Sequence, residues 1–175
     1  MMTQRFRQFI LGITLIAMVL GLNGMFSQPA NAEIRKLQED ENQVVYQSRQ
    51  KLFDRNNQTW QAIAFKRITQ EGENHFKIRL SGFPGATEIA HPQPLTVMIP
   101  TGQTFKAEDV SEEAFADGNP PGNIGQYDFD SIISDLPKGL EIVFSIPTKN
   151  DQEVKLAVSP LSIQEWKKVA TKAEL

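Results

Sequence analysis

Hydrophobic and polar positions alternate along much of this chain. The clearest case is residues 75–83, where Phe76, Ile78 and Leu80 fall on one side and Lys77, Arg79 and Ser81 on the other. A period of two with one apolar face marks a strand that is half exposed to water. Residues 44–53 and 59–69 read as two further strands, joined by the polar turns 54–58 and 70–74, so the three predict an antiparallel meander. The middle strand differs from its neighbours. Trp60, Ala62 and Ala64 share one face while Ile63 and Phe65 occupy the other. Apolar residues on both faces predict a strand covered on both sides, with the C-terminal helix as the candidate cover. A helix over 59–69 is the alternative, disfavoured by the flanking turns.

Beyond the meander, Phe83-Pro84-Gly85 interrupts the sheet, and the prolines at 92 and 94 stiffen an extended approach to a short strand at 95–99. A turn at 100–103 leads into Thr104-Phe105-Lys106. Residues 108–116 are expected to form a short helix with Val110, Ala114 and Phe115 on one side. The Gly- and Pro-rich stretch 117–125 is expected to be loop, and residues 127–136 fit either a short helix or a strand. Leu140, Ile142, Phe144 and Ile146 alternate as a strand, as do Val154, Leu156 and Val158. Ser162 with Glu165 three residues on predicts a capping box opening a helix to about residue 172. Ile163, Trp166, Val169, Ala170 and Ala173 form its apolar stripe. The expected fold is mainly β (α+β): a single antiparallel β-sandwich or partly open barrel of about six strands with a short C-terminal helix. Trp60 and Trp166 are expected to plug its core rather than anchor an interface.

The N-terminus has a different pattern. Arg5 and Arg7 precede an apolar run from Phe9 to Leu22, no acid occurs before Glu33, and the segment ends in Ala30-Asn31-Ala32. This basic, apolar, small-residue order predicts a cleavable signal peptide over 1–32, with cleavage after Ala32. The run is 14 residues long, short of the about 20 that a spanning helix needs, so a retained membrane anchor is the weaker alternative. Residues 33–43 are polar and mixed in charge, and are expected to be a loose leader before the domain at 44–175.

The chain has no cysteine, which removes disulfides, thiolate chemistry, cysteine-ligated zinc and lipoprotein acylation. The full sequence carries 18 Lys and Arg against 21 Asp and Glu, and loss of 1–32 removes two bases and no acid. That balance argues against a nucleic-acid partner and a polybasic lipid anchor. Between Lys106 and Lys138 there are eight acids and no base. Glu108, Asp109, Glu112, Glu113 and Asp117 in this segment are the candidate patch for a basic partner. A calcium site using Asp128 and Asp130 is the alternative, although the EF-hand spacing is missing. A solvated acidic face is the default for such a run. His75 and His91 belong to no metal-ligand spacing, no G-x-S-x-G elbow occurs, and no phosphate-cradling Gly-rich motif is present. No catalytic residue, cofactor or metal ligand is therefore assigned.

Several short stretches stand out: Val45-Tyr46-Gln47-Ser48-Arg49-Gln50, then Trp60, Phe65-Lys66-Arg67 and Leu80-Ser81-Gly82-Phe83-Pro84-Gly85. His91-Pro92-Gln93-Pro94-Leu95, Gly125-Gln126-Tyr127-Asp128 and Gln164-Glu165-Trp166 continue the series. Together, over roughly residues 44–170, they resemble the cyanobacterial DUF3122 family. The resemblance implies a photosynthetic prokaryote, and with the signal segment it implies periplasm or thylakoid lumen. It carries no catalytic motif. The functional expectation is an exported, non-enzymatic accessory or binding protein of unknown protein partner, with a photosynthetic membrane complex as the candidate neighbour. A small-ligand carrier or hydrolase with a pocket in the β-domain is the alternative.

Overall fold

In the computed structural model, which describes residues 34–40, 42–72 and 74–174, the meander is the centre of a larger sheet. Strands β2 (Gln43–Phe53), β3 (Thr59–Thr69) and β4 (Asn74–Ser81) pair antiparallel in register. Strand β1 (Arg35–Asp40) adds to one side and β7 (Ile124–Asp128) to the other, giving the order β1-β2-β3-β4-β7. A second antiparallel sheet has the order β6-β5-β8-β9, from β5 (Leu95–Met98), β6 (Thr104–Ala107), β8 (Ile142–Pro147) and β9 (Glu153–Val158). The helix α1 (Pro160–Ala170) follows. The result is a mainly β fold of two antiparallel sheets, a sandwich with one short C-terminal helix, as the alternation predicts. Its described strands number nine rather than about six.

The extra strands have a physical cause. Residues 33–43, expected as a loose leader, contain β1, which pairs with β2 from Arg35 opposite Gln47 to Asp40 opposite Gln43. Pairing runs through backbone groups, so a strand whose side chains stay in water carries no apolar signal. The expected helix over 108–116 shrinks to a 3-10 turn, Ser111–Ala114. The Asp109 carboxylate accepts from the Ser111 N–H at 2.9 Å and from its hydroxyl, a local arrangement that competes with helix. Just before it, Val110 N–H donates to the Gln126 carbonyl and Asp109 bridges Tyr127, so the segment flanks β7. Residues 127–136 are neither one helix nor one strand: β7 ends at Asp128 and a run of turns follows.

One buried cluster joins both sheets and the helix. Trp60, Phe76, Ile78, Leu80 and Tyr127 point inward from the five-stranded sheet, and Phe144, Ile146 and Leu156 from the other. Trp166 stacks on Phe144 at 5.8 Å between ring centroids, and Phe129 packs on Phe144 at 5.4 Å. Both tryptophans are core residues, at 1% and 0% exposure. Gly82 makes room for the Trp60 indole, since a Cβ there would lie 2.9 Å from the ring.

Helix α1 lies on the inner face of β2 and β3. Its N-cap is Ser159, whose hydroxyl accepts from Ser162 N–H at 3.2 Å, with Pro160 in the first turn. The helix is therefore capped three residues before the expected cap at Ser162. Glu165 reaches the sheet instead of the helix start, accepting from Ser48 Oγ at 2.6 Å and Gln50 Nε2 at 3.0 Å, both on β2. Lys66 Nζ donates to the Ala170 carbonyl at 2.7 Å, placing a cation at the negative end of the helix dipole. These three contacts clamp α1 to the sheet.

Candidate functional site

The acidic segment divides on folding. Asp109 lies inside, its side chain 1% exposed, hydrogen-bonded to His91 Nδ1 at 2.7 Å as well as to Ser111. That knot ties the approach to β5 to the flank of β7. Glu113 reaches across to Lys77 on β4. Glu108, Glu112 and Asp117 are exposed. Of the five residues of the expected patch, Glu108, Glu112 and Asp117 have no ion pair among the described residues, while Asp109 supports the fold.

Asp128 and Asp130 are also engaged. The Asp128 carboxylate accepts from Asp130 N–H at 2.9 Å, and that of Asp130 accepts from Phe76 N–H at 2.7 Å and contacts His75 at 3.0 Å. Among the described residues, no three His, Cys, Asp or Glu side chains converge as a metal-binding set. Tyr127 packs over Gly125, and its hydroxyl has no hydrogen-bond partner among the described residues. Burial, reinforced by the Asp109 charge, pushes the Tyr127 phenol far above its ordinary pKa, so it stays neutral.

A groove of about 960 Å³ opens between the turn 54–58, the loop 85–88 and the β8–β9 turn. Its charges are largely satisfied internally. Asp54 accepts from the N–H groups of Asn56 and Gln58, Glu88 pairs with Lys149 at 3.3 Å, and Glu153 with Lys155 at 3.2 Å.

The outward face of the five-stranded sheet is different. The register sets Arg49, Ile63, Arg79 and Gln126 in one row across β2, β3, β4 and β7. The next row is Gln47, Phe65, Lys77 and Asp128, followed by Val45, Arg67 and His75. Neighbouring strands are about 4.8 Å apart, so Ile63 and Phe65 are hemmed in by basic side chains. Neither residue is covered by the helix, which packs on the opposite face; both remain half-buried. The helix thus covers β3 on its inner face only, while on the outward face the neighbours Val45, Gln47 and Gln126 are themselves buried.

The basic groups here are held in place. Arg79 donates to Gln126 Oε1 through Nε at 3.1 Å and Nη2 at 2.7 Å, with its guanidinium 5.6 Å from the centre of the Phe65 ring. Burial first, and the nearby Arg67 second, lower the Arg79 pKa, while Glu39 opposes them. Arg49 Nε donates to Gln47 at 3.3 Å, and Arg67 pairs with Glu39 at 3.4 Å. The acids on this face sit at its margins, Glu39 on β1 and Asp128 on β7, with Glu113 reaching in from the 3-10 turn. Arg35, Arg49 and Lys51 have no ion pair among the described residues. At the end where the parallel-running β2 and β4 terminate, Phe53 and Phe83 are 50% and 74% exposed.

Net charge hid this face, because a sum over the chain averages a basic sheet surface with an acidic 106–138 segment. The signal that does find it is the polar half of each alternation: Lys77 and Arg79 on β4, Arg49 and Lys51 on β2.

Comparison with known proteins identifies the chain at the level of family. No curated protein and no solved structure gives a significant match. A family model described as "Protein of unknown function (DUF3122)" matches residues 32–169. The chain, with the sandwich and the Arg-lined sheet face just described, belongs to the DUF3122 family.

Proposed function

We propose that this protein is an exported, non-enzymatic accessory protein that holds a partner protein against the outward face of its five-stranded sheet. The observation that carries the reading is the row Arg49, Ile63, Arg79 with the neighbouring Phe65: apolar side chains at the middle of a rigid sheet, framed by oriented cations and left half-buried. Interface centres combine apolar contact with arginine in this way. A sheet holds such groups with little entropy left to lose on binding. Export rests on the basic and apolar N-terminus ending in Ala30-Asn31-Ala32. The family resemblance supports periplasm or thylakoid lumen, where a photosynthetic membrane complex is a reachable partner.

The test places a photo-crosslinking amino acid at Ile63 in the full chain, expressed in its host. We expect one discrete cross-linked protein and a mature N-terminus at Glu33 by sequencing. Absence of any cross-link at Ile63, with abundant cross-links from a control position on the groove such as Thr87, overturns the docking reading. An intact N-terminus overturns export.

A further inference from the structure

We infer that the occupant of the outward sheet face is an acidic polypeptide segment of another protein, bearing apolar side chains among its carboxylates; this rests on the docking reading above. The sheet face holds its cations on a fixed lattice that an acidic segment complements. Arg49 and Lys51 are two residues apart on β2, as are Lys77 and Arg79 on β4, so their side chains leave the same face; Lys77 already pairs with Glu113, so the cations offered to a partner are Arg49, Lys51 and Arg79. Successive side chains on one face repeat at about 6.6–6.8 Å along a strand, which matches the repeat of same-side carboxylates on an extended peptide.

Arginine is the cation suited to carboxylate, because its planar fork gives two parallel hydrogen bonds and its weak hydration makes apolar surroundings tolerable. Arg79 donates twice to the single Oε1 of the neutral Gln126, which leaves its cationic charge unneutralised. Arg49 is bound only to the neutral Gln47, and Lys51 has no ion-pair partner among the described residues. Ile63 and Phe65 between them would be desolvated by an apolar side chain of the incoming segment.

Residues 1–32 contain Arg5 and Arg7 and no acid, so by charge they are not the complement of a basic sheet face. A second copy offers exposed Glu108, Glu112 and Asp117, but this acidic flank lies beside β7 on the edge of the same sheet. An anionic membrane would be met better by mobile lysines than by arginines bound to neighbouring side chains.

The experiment measures fluorescence anisotropy of a synthetic Glu–Leu peptide in which serine separates alternating Glu and Leu, so that both leave one side of an extended chain, with the matching Lys–Leu and Ser–Leu peptides as controls. The protein is expressed with its full sequence and isolated with the N-terminus its host leaves. The Glu–Leu peptide is expected to bind, to weaken as salt rises, and to lose at least about tenfold in affinity in the Arg49→Glu, Lys51→Glu double variant. Arg49→Lys, which keeps the charge and loses the fork, should weaken binding by less than the double variant does. If the double variant melts below wild type, Arg67→Gln, at an exposed position, carries the same comparison. Equal binding of the three peptides, or indifference to both sets of substitutions, overturns the inference. So does tighter binding to vesicles containing anionic lipid, or self-association that charge reversal abolishes and the Glu–Leu peptide does not compete. A partner cross-linked at Ile63 through a neutral or basic segment overturns this inference and leaves the docking reading standing. Peptide binding with no partner cross-linked in the cell overturns the docking reading instead.

Discussion

Strand β3 faces two environments with alternate residues. Inward, Trp60, Ala62 and Ala64 meet the second sheet and α1 and are fully enclosed. Outward, Ile63 and Phe65 are half-buried, and the Arg79 guanidinium lies over the Phe65 ring. The inner face is governed by volume: two alanines follow a tryptophan, and Gly82 yields space to the indole. The outer face is governed by charge, with polar groups fixed on an apolar floor. Substitutions on the inner face should therefore act on stability and those on the outer face on binding.

The sharpest test of that division is Trp60→Ala. It removes a side chain that is 1% exposed, and should cost about 3–5 kcal/mol in denaturant unfolding. A loss under about 1 kcal/mol would show that the indole is not a core plug. Next is Gly82→Ala, where the new methyl meets the Trp60 ring at 2.9 Å. It should cost about 1–3 kcal/mol, and in a Trp60→Leu background the penalty should shrink, since the two changes share one space. Equal penalties in both backgrounds would place the strain elsewhere.

Tyr127→Phe gives a smaller and pH-dependent effect. The hydroxyl has no partner among the described residues, so its loss should be neutral or stabilising by at most about 1 kcal/mol near neutral pH. The folded phenol has a raised pKa, so the folded state keeps a proton that the unfolded state releases above about pH 10. Stability from this group is complete below that value and falls as pH rises through it. Alkaline melts should therefore decline less steeply for Tyr127→Phe than for wild type; parallel curves would show that Tyr127 is accessible to water. The smallest stability effect belongs to the outer face. Arg49→Glu with Lys51→Glu should change unfolding by no more than about 0.5 kcal/mol, while the cross-link at Ile63 disappears. A large stability loss there would make these residues part of the scaffold.

The meander was legible because half-buried strands write a period of two into the sequence, and β3 runs over the predicted Thr59–Thr69. The helix was legible from the stripe through Ile163, Trp166 and Val169, although it starts earlier than the capping pattern predicts. Ser159 and Ser162 are both good caps, and the choice between them depends on Glu165 reaching Ser48 and Gln50 on β2. Strand β1 was illegible because its side chains from Arg35 to Glu39 are exposed and its stabilisation comes through backbone pairing. The acidic segment stood out by composition, but nothing local reveals that Asp109 faces His91 eighteen residues earlier.

By itself the sequence determined the β-rich class, the meander with its register-setting turns, the apolar stripe of the helix and the chemistry excluded by the missing cysteines. These depend on periodicity and composition, which act over a few residues. The tertiary structure decided which apolar face of β3 the helix covers, which acid is buried, and that basic residues from separate strands share one surface. Such outcomes depend on strand order and on partners distant in sequence, and net charge or local pattern averages them away.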